Sequence, residues 1–212
     1  MGEVSKIHVF DLLNPSQNPL RVITIEGSKV TRAKWGNLNK QILTGHEDGT
    51  IAVYDYATGK RTKTVKNHAG SIQDIQFSSD FSHFITASID TTSLIYDTKS
   101  LKVLKTFKTS RPVNSATMSP LKQHIVLGGG QEAMKVTTTS QRHEKFEAKF
   151  FHKIFEDEIG AVKGHFGPIN TLAFHPNGKS FASGGEDGYV RVHHLDDDYI
   201  NFEFEEEANF QF

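Results

Sequence analysis

An aspartate recurs along this chain with the same company at the same offsets, so the chain must fold as copies of one small unit. Asp48 and Asp90 are 42 residues apart, and Asp187 follows after 97, two further periods plus an insertion. Six residues after each aspartate stands a ring residue: Tyr54, Tyr96, His193. Thirteen before each is a large apolar residue (Trp35, Phe77, Phe174), and four before each is a hydroxyl (Thr44, Thr86, Ser183). His68 and His165 precede the last two aspartates by 22 residues. A fourth unit fits 41 residues after the second, with Met118 in the place of Phe77 and Gln131 in the place of Asp90. Its insertion of 14 residues lies between Gln131 and Phe151, because Phe151 stands 14 before His165 as Tyr54 stands 14 before His68.

Within a unit the pattern is that of strands. Ile72, Ile75 and Phe77 are separated by polar residues, Phe84-Ile85-Thr86-Ala87 is a short apolar run, and Ser93-Leu94-Ile95-Tyr96 follows a turn at Asp90. Gly49 and Gly188 directly follow their aspartates, a strong hairpin signal. Four short strands per period make a propeller blade. The expected fold is all-β: a single partial β-propeller domain over 1–212. It comprises the end of a blade at 1–11 and blade repeats at 26–55, 68–97, 109–152 and 165–194. An insertion at 132–150 and an acidic tail or closing strand at 195–212 complete it. Tyr199 to Phe204 alternates like one more strand, between acidic runs at 196–198 and 205–207. Phe10-Asp11 stands in the place of Tyr54-Asp55 without the strands that should precede it. Four blades and part of a fifth would leave open sheet edges. The expectation is therefore the C-terminal part of a longer ring, the alternative being a compact small propeller.

The recurring polar residues resemble the WD-repeat tetrad. An aspartate in a tight turn can accept from a histidine entering the blade, the histidine can reach a strand hydroxyl, and the ring residue closes the chain. Such a network can be buried because every member has a partner. One blade should hold His68, Thr86, Asp90 and Tyr96, and the last His165, Ser183, Asp187 and His193. The unit around Gln131 has Thr109, Leu127 and Gln131 at the same places, all changed together. The first unit has Glu26 where histidine is expected, a weaker tetrad. Ser183, Asp187 and His165 could be named a hydrolase triad. A catalytic site occurs once, however, and this device repeats without a Gly-x-Ser-x-Gly elbow. The expectation is no catalytic residue, no cofactor and no enzyme.

Composition closes other routes. Net charge is −1, so no global field draws the chain to nucleic acid or membrane. The absence of cysteine excludes disulfides and thiolate metal sites and fits a reducing compartment. Apolar runs are too short to span a bilayer, and no basic-then-apolar segment opens the chain. A cytoplasmic location is expected. Gly128-Gly129-Gly130-Gln131 lacks the Gly-Lys-Ser/Thr of a phosphate loop, and the Gln131 amide is expected to hold the insertion. Arg142, His143, Lys145, Lys149 and Lys153 alternate with Phe146, Phe150 and Phe151, a pattern that can bind RNA. Glu144, Glu147, Glu156, Asp157 and Glu158 cancel that charge and favour a long hairpin arm. No histidine spacing suits a metal: His193 and His194 are adjacent in a strand and point to opposite faces.

Several stretches go beyond blade rules: Arg111-Pro-Val-Asn-Ser-Ala, Val126-Leu-Gly-Gly-Gly-Gln-Glu-Ala, Val136-Thr-Thr-Thr-Ser, Lys145-Phe-Glu-Ala, Phe150-Phe-His, Gly164-His-Phe-Gly-Pro-Ile-Asn and Gly184-Gly-Glu-Asp-Gly-Tyr-Val-Arg. Together they resemble the WD-repeat subunit i family of the eukaryotic translation initiation factor three complex, most strongly from Arg111 to Arg191. The resemblance implies the C-terminal four blades plus part of a fifth of a seven-bladed ring. It implies a scaffold that holds the C-terminal helical tail of the b subunit and an N-terminal segment of the g subunit on the small ribosomal subunit, supporting messenger RNA scanning. Asp80 and Asp97 match acidic positions used toward the basic b-subunit tail. Strand parity puts both on one face, opposite the tetrad loops and the insertion, although an aspartate in a turn also simply caps it. A WD-repeat adaptor in signalling or ubiquitin transfer is the alternative.

Overall fold

The computed structural model describes residues 3–14, 18–130 and 146–202. Two strands, β1 (Glu3–Val9) and β2 (Arg21–Gly27), form an antiparallel pair. Three four-stranded antiparallel sheets follow, each paired in chain order. The first contains β3 (Val30–Trp35), β4 (Gln41–His46), β5 (Thr50–Asp55) and β6 (Arg61–Lys66). The second contains β7 (Ile72–Phe77), β8 (His83–Ser88), β9 (Thr92–Asp97) and β10 (Val103–Lys108). The third contains β11 (Val113–Met118), β12 (His124–Gly129), β13 (Phe146–His152) and β14 (Glu158–His165). A three-stranded sheet of β15 (Ile169–Phe174), β16 (Ser180–Gly185) and β17 (Val190–His194) precedes the short helix α1 (Asp197–Asn201). Among the described residues no helix is long and apolar enough to cross a membrane.

The sheets stand side by side as propeller blades do. Their first strands touch in sequence, β3 on β7, β7 on β11 and β11 on β15, while the fourth strand β6 is almost wholly exposed. Strands β8 and β9 are buried on both faces, which explains their unbroken apolar runs. Phe84, Leu94 and Tyr96 pack against Leu43, Ile51 and Val53 of the preceding sheet. Ile85, Ile95 and Phe107 pack against Ala116, Ile125 and Leu127 of the next. Each such side chain, fully buried, contributes roughly 1.5–3 kcal/mol. The core therefore lies between blades as much as within them.

Every first strand carries a bulge at its second residue: Thr31, Gln73, Asn114 and Asn170. A bulge re-aims the extra side chain, and two of these reach the next blade. Thr31 Oγ1 donates to Ile72 O at 2.6 Å, and Asn114 Nδ2 donates to Ile169 O at 3.2 Å. Further along, Ser115 Oγ donates to Asp74 Oδ2 at 2.6 Å and accepts from Leu172 N at 2.9 Å. Three first strands are thus tied through one hydroxyl.

Two expectations are corrected. Residues 199–201 are helical, not a closing strand, because Asp196 caps the helix by accepting from Tyr199 N while Asp197 and Asp198 fill its first turn. The helix docks through Tyr199, whose hydroxyl lies 2.7 Å from His124 Nδ1. The expected insertion at 132–150 is too long, because β13 begins at Phe146 and pairs with both β12 and β14. Gln131, Arg142, His143, Glu144 and Lys145 lie outside the described residues. Phe150 and Phe151 are buried in this blade, so their rings are not available to stack on bases. Lys149 pairs with Glu158 at 2.8 Å.

Candidate protein-binding site

The two ends of the strands carry different chemistry. At the end holding the loops into each blade, His68 Nδ1 lies 2.9 Å from Asp90 Oδ2, and His68 Nε2 lies 2.7 Å from Thr86 Oγ1. Asp90 also accepts from Ala69 N and from the Thr92 amide and hydroxyl. Burial favours the neutral ring of His68, so Nδ1–H donates to the carboxylate and Nε2 faces the hydroxyl. The expected closure through Tyr96 does not form: among the described residues its buried hydroxyl has no hydrogen-bond partner, and the ring instead stacks on Phe84 at 5.0 Å. Aromatic packing replaces the fourth polar contact.

In the last sheet the chain does close. His165 Nδ1 lies 3.0 Å from both carboxylate oxygens of Asp187, His165 Nε2 lies 2.8 Å from Ser183 Oγ, and Ser183 Oγ lies 2.9 Å from His193 Nε2. The geometry superficially matches a nucleophile, base and acid. Yet Ser183 is 1% exposed and its oxygen is held between two imidazoles, so no acyl group can approach it.

The first unit differs from its expected form. Glu26 is exposed on β2 and, among the described residues, joins no network. His46, two residues beyond Thr44 on the same strand face, takes the histidine's place. Its Nε2 lies 2.9 Å from Thr44 Oγ1 and its Nδ1 lies 3.1 Å from Ser28 O. Asp48 is left to cap its own turn through Thr50. In the third blade Leu127 is buried, and Thr109 Oγ1 bonds Thr91 O and Arg111 O instead.

These networks should weaken in acid. Burial, opposed by the Asp90 hydrogen bond and charge, holds His68 below its ordinary value of 6.5; burial also lowers His193, aided by His165 and Arg191. A histidine depressed by folding binds protons more readily when unfolded. Its contribution is complete above about 6.5 and is lost as pH falls below that value. Asp187 adds a later loss. Burial raises its pKa, but hydrogen bonds from Phe166 N and His165 outweigh this and hold it at about 2. Thermal melts should therefore show a lower midpoint near pH ~5 than near pH ~7.5.

At the opposite end, Asp80 sits at the tip of the β7–β8 turn and Asp97 ends β9. Thr98 N donates to Ser82 O at 3.0 Å, tying the two turns together. Asp80 Oδ1 accepts from Ser78 Oγ and Ser82 N, and Asp97 Oδ1 accepts from the Ser100 amide and hydroxyl. These bonds, the side-chain one first in each case, hold both carboxyls below the usual carboxylate range. All of them go to one oxygen of each carboxylate, which leaves an anionic oxygen on each for a cation. Asp55 builds the same turn in the preceding blade by accepting from Thr58, so turn capping is part of what Asp97 does. Beside Asp80 a cleft of about 440 Å³ opens between blades, with His83, Lys153 and His175 in its wall.

A family model, EIF3I, matches residues 1–205. The chain belongs to the EIF3I family. Among its relatives, eukaryotic translation initiation factor 3 subunit I of Nematostella vectensis is 54% identical over 205 residues, and that of Homo sapiens is 54% identical over 209. The Bombyx mori protein of the same name is 53% identical over 210 residues. Each match covers 97% of this chain and 64% of the relative, so this EIF3I chain spans about two-thirds of the length of the relatives it matches. The recurring networks, the bulged first strands and the paired turns at Asp80 and Asp97 thus lie in a chain of which 97% aligns with part of each of these EIF3I proteins.

Proposed function

We propose that this chain is a non-catalytic scaffold of the translation initiation factor 3 complex in the cytoplasm, part of a seven-bladed ring. The rim at Asp80 and Asp97 receives the basic C-terminal helical tail of the b subunit, and an N-terminal segment of the g subunit is the second partner. In that role it supports recruitment to the small ribosomal subunit and messenger RNA scanning. The observation that carries this reading is the similarity, over 97% of this chain, to proteins named subunit I. The rim adds a physical reason: two turns of one blade, joined by a hydrogen bond, each carry an aspartate, and carboxylates so placed suit an arginine or lysine.

Reversing both charges tests the site. Asp80→Lys with Asp97→Lys in the full-length chain should weaken capture of the b-subunit tail by about tenfold or more, because like charges then face each other. Binding of the unaltered chain should also fall with added salt. Capture unchanged by the double reversal would remove the site from these residues. Loss of ribosomal co-sedimentation in the same variant would tie the contact to the wider role.

A further inference from the structure

The turn that presents Asp80 holds a bulky aromatic residue in the left-handed region, Phe81 at φ 57°. Four first turns are closed alike, by Gly36 N to Gln41 O, Ser78 N to His83 O, Ser119 N to His124 O and His175 N to Ser180 O. In three of them the third residue beyond the start is left-handed: Asn39 at φ 53°, Phe81 at φ 57° and Gly178 at φ 68°. Asparagine and glycine visit this region at little cost, whereas a bulky aromatic there is an outlier. Such strain persists where surrounding structure imposes it, and it gathers at functional sites.

The fold does not explain why phenylalanine stands here. The equivalent positions manage with exposed Asn39 and with Gly178. Phe81 is 38% exposed, and its ring rests on Phe77 at 5.2 Å, the outer end of an aromatic run through Phe84 to Tyr96. It directly follows Asp80, and the next residue, Ser82, carries the carbonyl that binds the Asp97 turn. Leu38, in the matching turn of the preceding blade, is also left-handed at φ 56° and is 76% exposed. Phe81 thus holds an apolar ring partly outward, directly after Asp80.

We propose that Phe81 is the specificity-determining residue of that rim. It receives an apolar side chain of a basic amphipathic helix whose arginine or lysine, about one turn away, reaches Asp80 and Asp97. The inference rests on the binding site proposed above. Exposed carboxylates alone accept any cation and discriminate weakly. A rigid aromatic beside them adds contact area and fixes the register of the helix.

Fluorescence anisotropy with a labelled b-subunit tail, paired with thermal melts of the full-length chain, tests this. Phe81→Asn keeps a residue suited to the left-handed turn, so the melting temperature should hold or rise while Kd increases about tenfold. Phe81→Leu should retain most of the affinity. A Kd within about twofold of the unaltered chain for Phe81→Asn, with the double charge reversal still abolishing binding, would overturn the role of Phe81 and leave the rim intact. Loss from neither variant would overturn the rim itself. A fall in melting temperature together with affinity for Phe81→Asn would make Phe81 a packing residue and also overturn the proposal.

Discussion

Asp90→Ala should cost about 2–4 kcal/mol of folding stability, whereas Asp48→Ala should cost at most about 1. Both aspartates occupy the same position of the repeat, and only the geometry separates them. The Asp90 carboxylate accepts from His68, Ala69 N and the Thr92 amide and hydroxyl. The His68 side chain is fully buried and that of Asp90 is 11% exposed. Truncation leaves a buried ring N–H whose remaining neighbour is the Thr92 hydroxyl at 3.1 Å, a partial substitute that keeps the loss below the upper limit for a broken buried pair. Asp90→Asn keeps one acceptor and should lose less. Asp48, in contrast, has a side chain 40% exposed and does not hold the histidine of its blade, because His46 bonds Thr44 and Ser28 without it. Urea unfolding midpoints of the three variants at unchanged slope check the ranking. Equal losses at the two positions would mean that the aspartate turn, not the histidine network, stabilises each blade.

The same contrast shows what was legible in the sequence. His68, Thr86 and Asp90 could be placed from spacing because a buried polar chain tolerates few residue types and needs them at fixed offsets. His46 was missed because it reaches Thr44 from the same strand, two residues on, rather than from the loop 22 residues before the aspartate. The strand's two-residue period was the signal that could have found it. The bulged residues Thr31, Gln73, Asn114 and Asn170 were equally readable: each stands 17 before its aspartate or Gln131, and each is uncharged and polar. They look like ordinary strand residues until the bulge turns Thr31 and Asn114 toward the next blade. The alternation from Tyr199 to Phe204 points to a strand, but Asp196, Asp197 and Asp198 form a helix start. The strain at Phe81 had no sequence signal beyond comparison with Asn39 and Gly178, since left-handed backbone follows from the turn and not from the aromatic in it.

Gly49→Ala should destabilise the 212-residue chain by about 2–4 kcal/mol, and Gly188→Ala by only about 1. Each glycine follows the repeat aspartate and each is left-handed, at φ 84° and φ 79°. A methyl group therefore strains both backbones alike. The difference is what the methyl meets. At Gly49 it would come within 2.3 Å of His68 O and 2.8 Å of His68 C, backbone atoms of the loop that enters the next blade. That loop cannot retreat without pulling His68 from Asp90 and Thr86, so the clash at one blade is carried into the polar network of its neighbour. At Gly188 no described atom lies within 4 Å. Unfolding free energies of the two variants measure the gap directly. Equal small losses would show that the His68 loop moves aside freely and that the blades are coupled more loosely than their shared cores imply. Equal large losses would show that another part of the molecule packs on the last sheet as the second blade packs on the first. Repeating the pair in a chain as long as the relatives turns this into an assay for packing at the last sheet: if a further sheet packs there, Gly188→Ala should become as costly as Gly49→Ala.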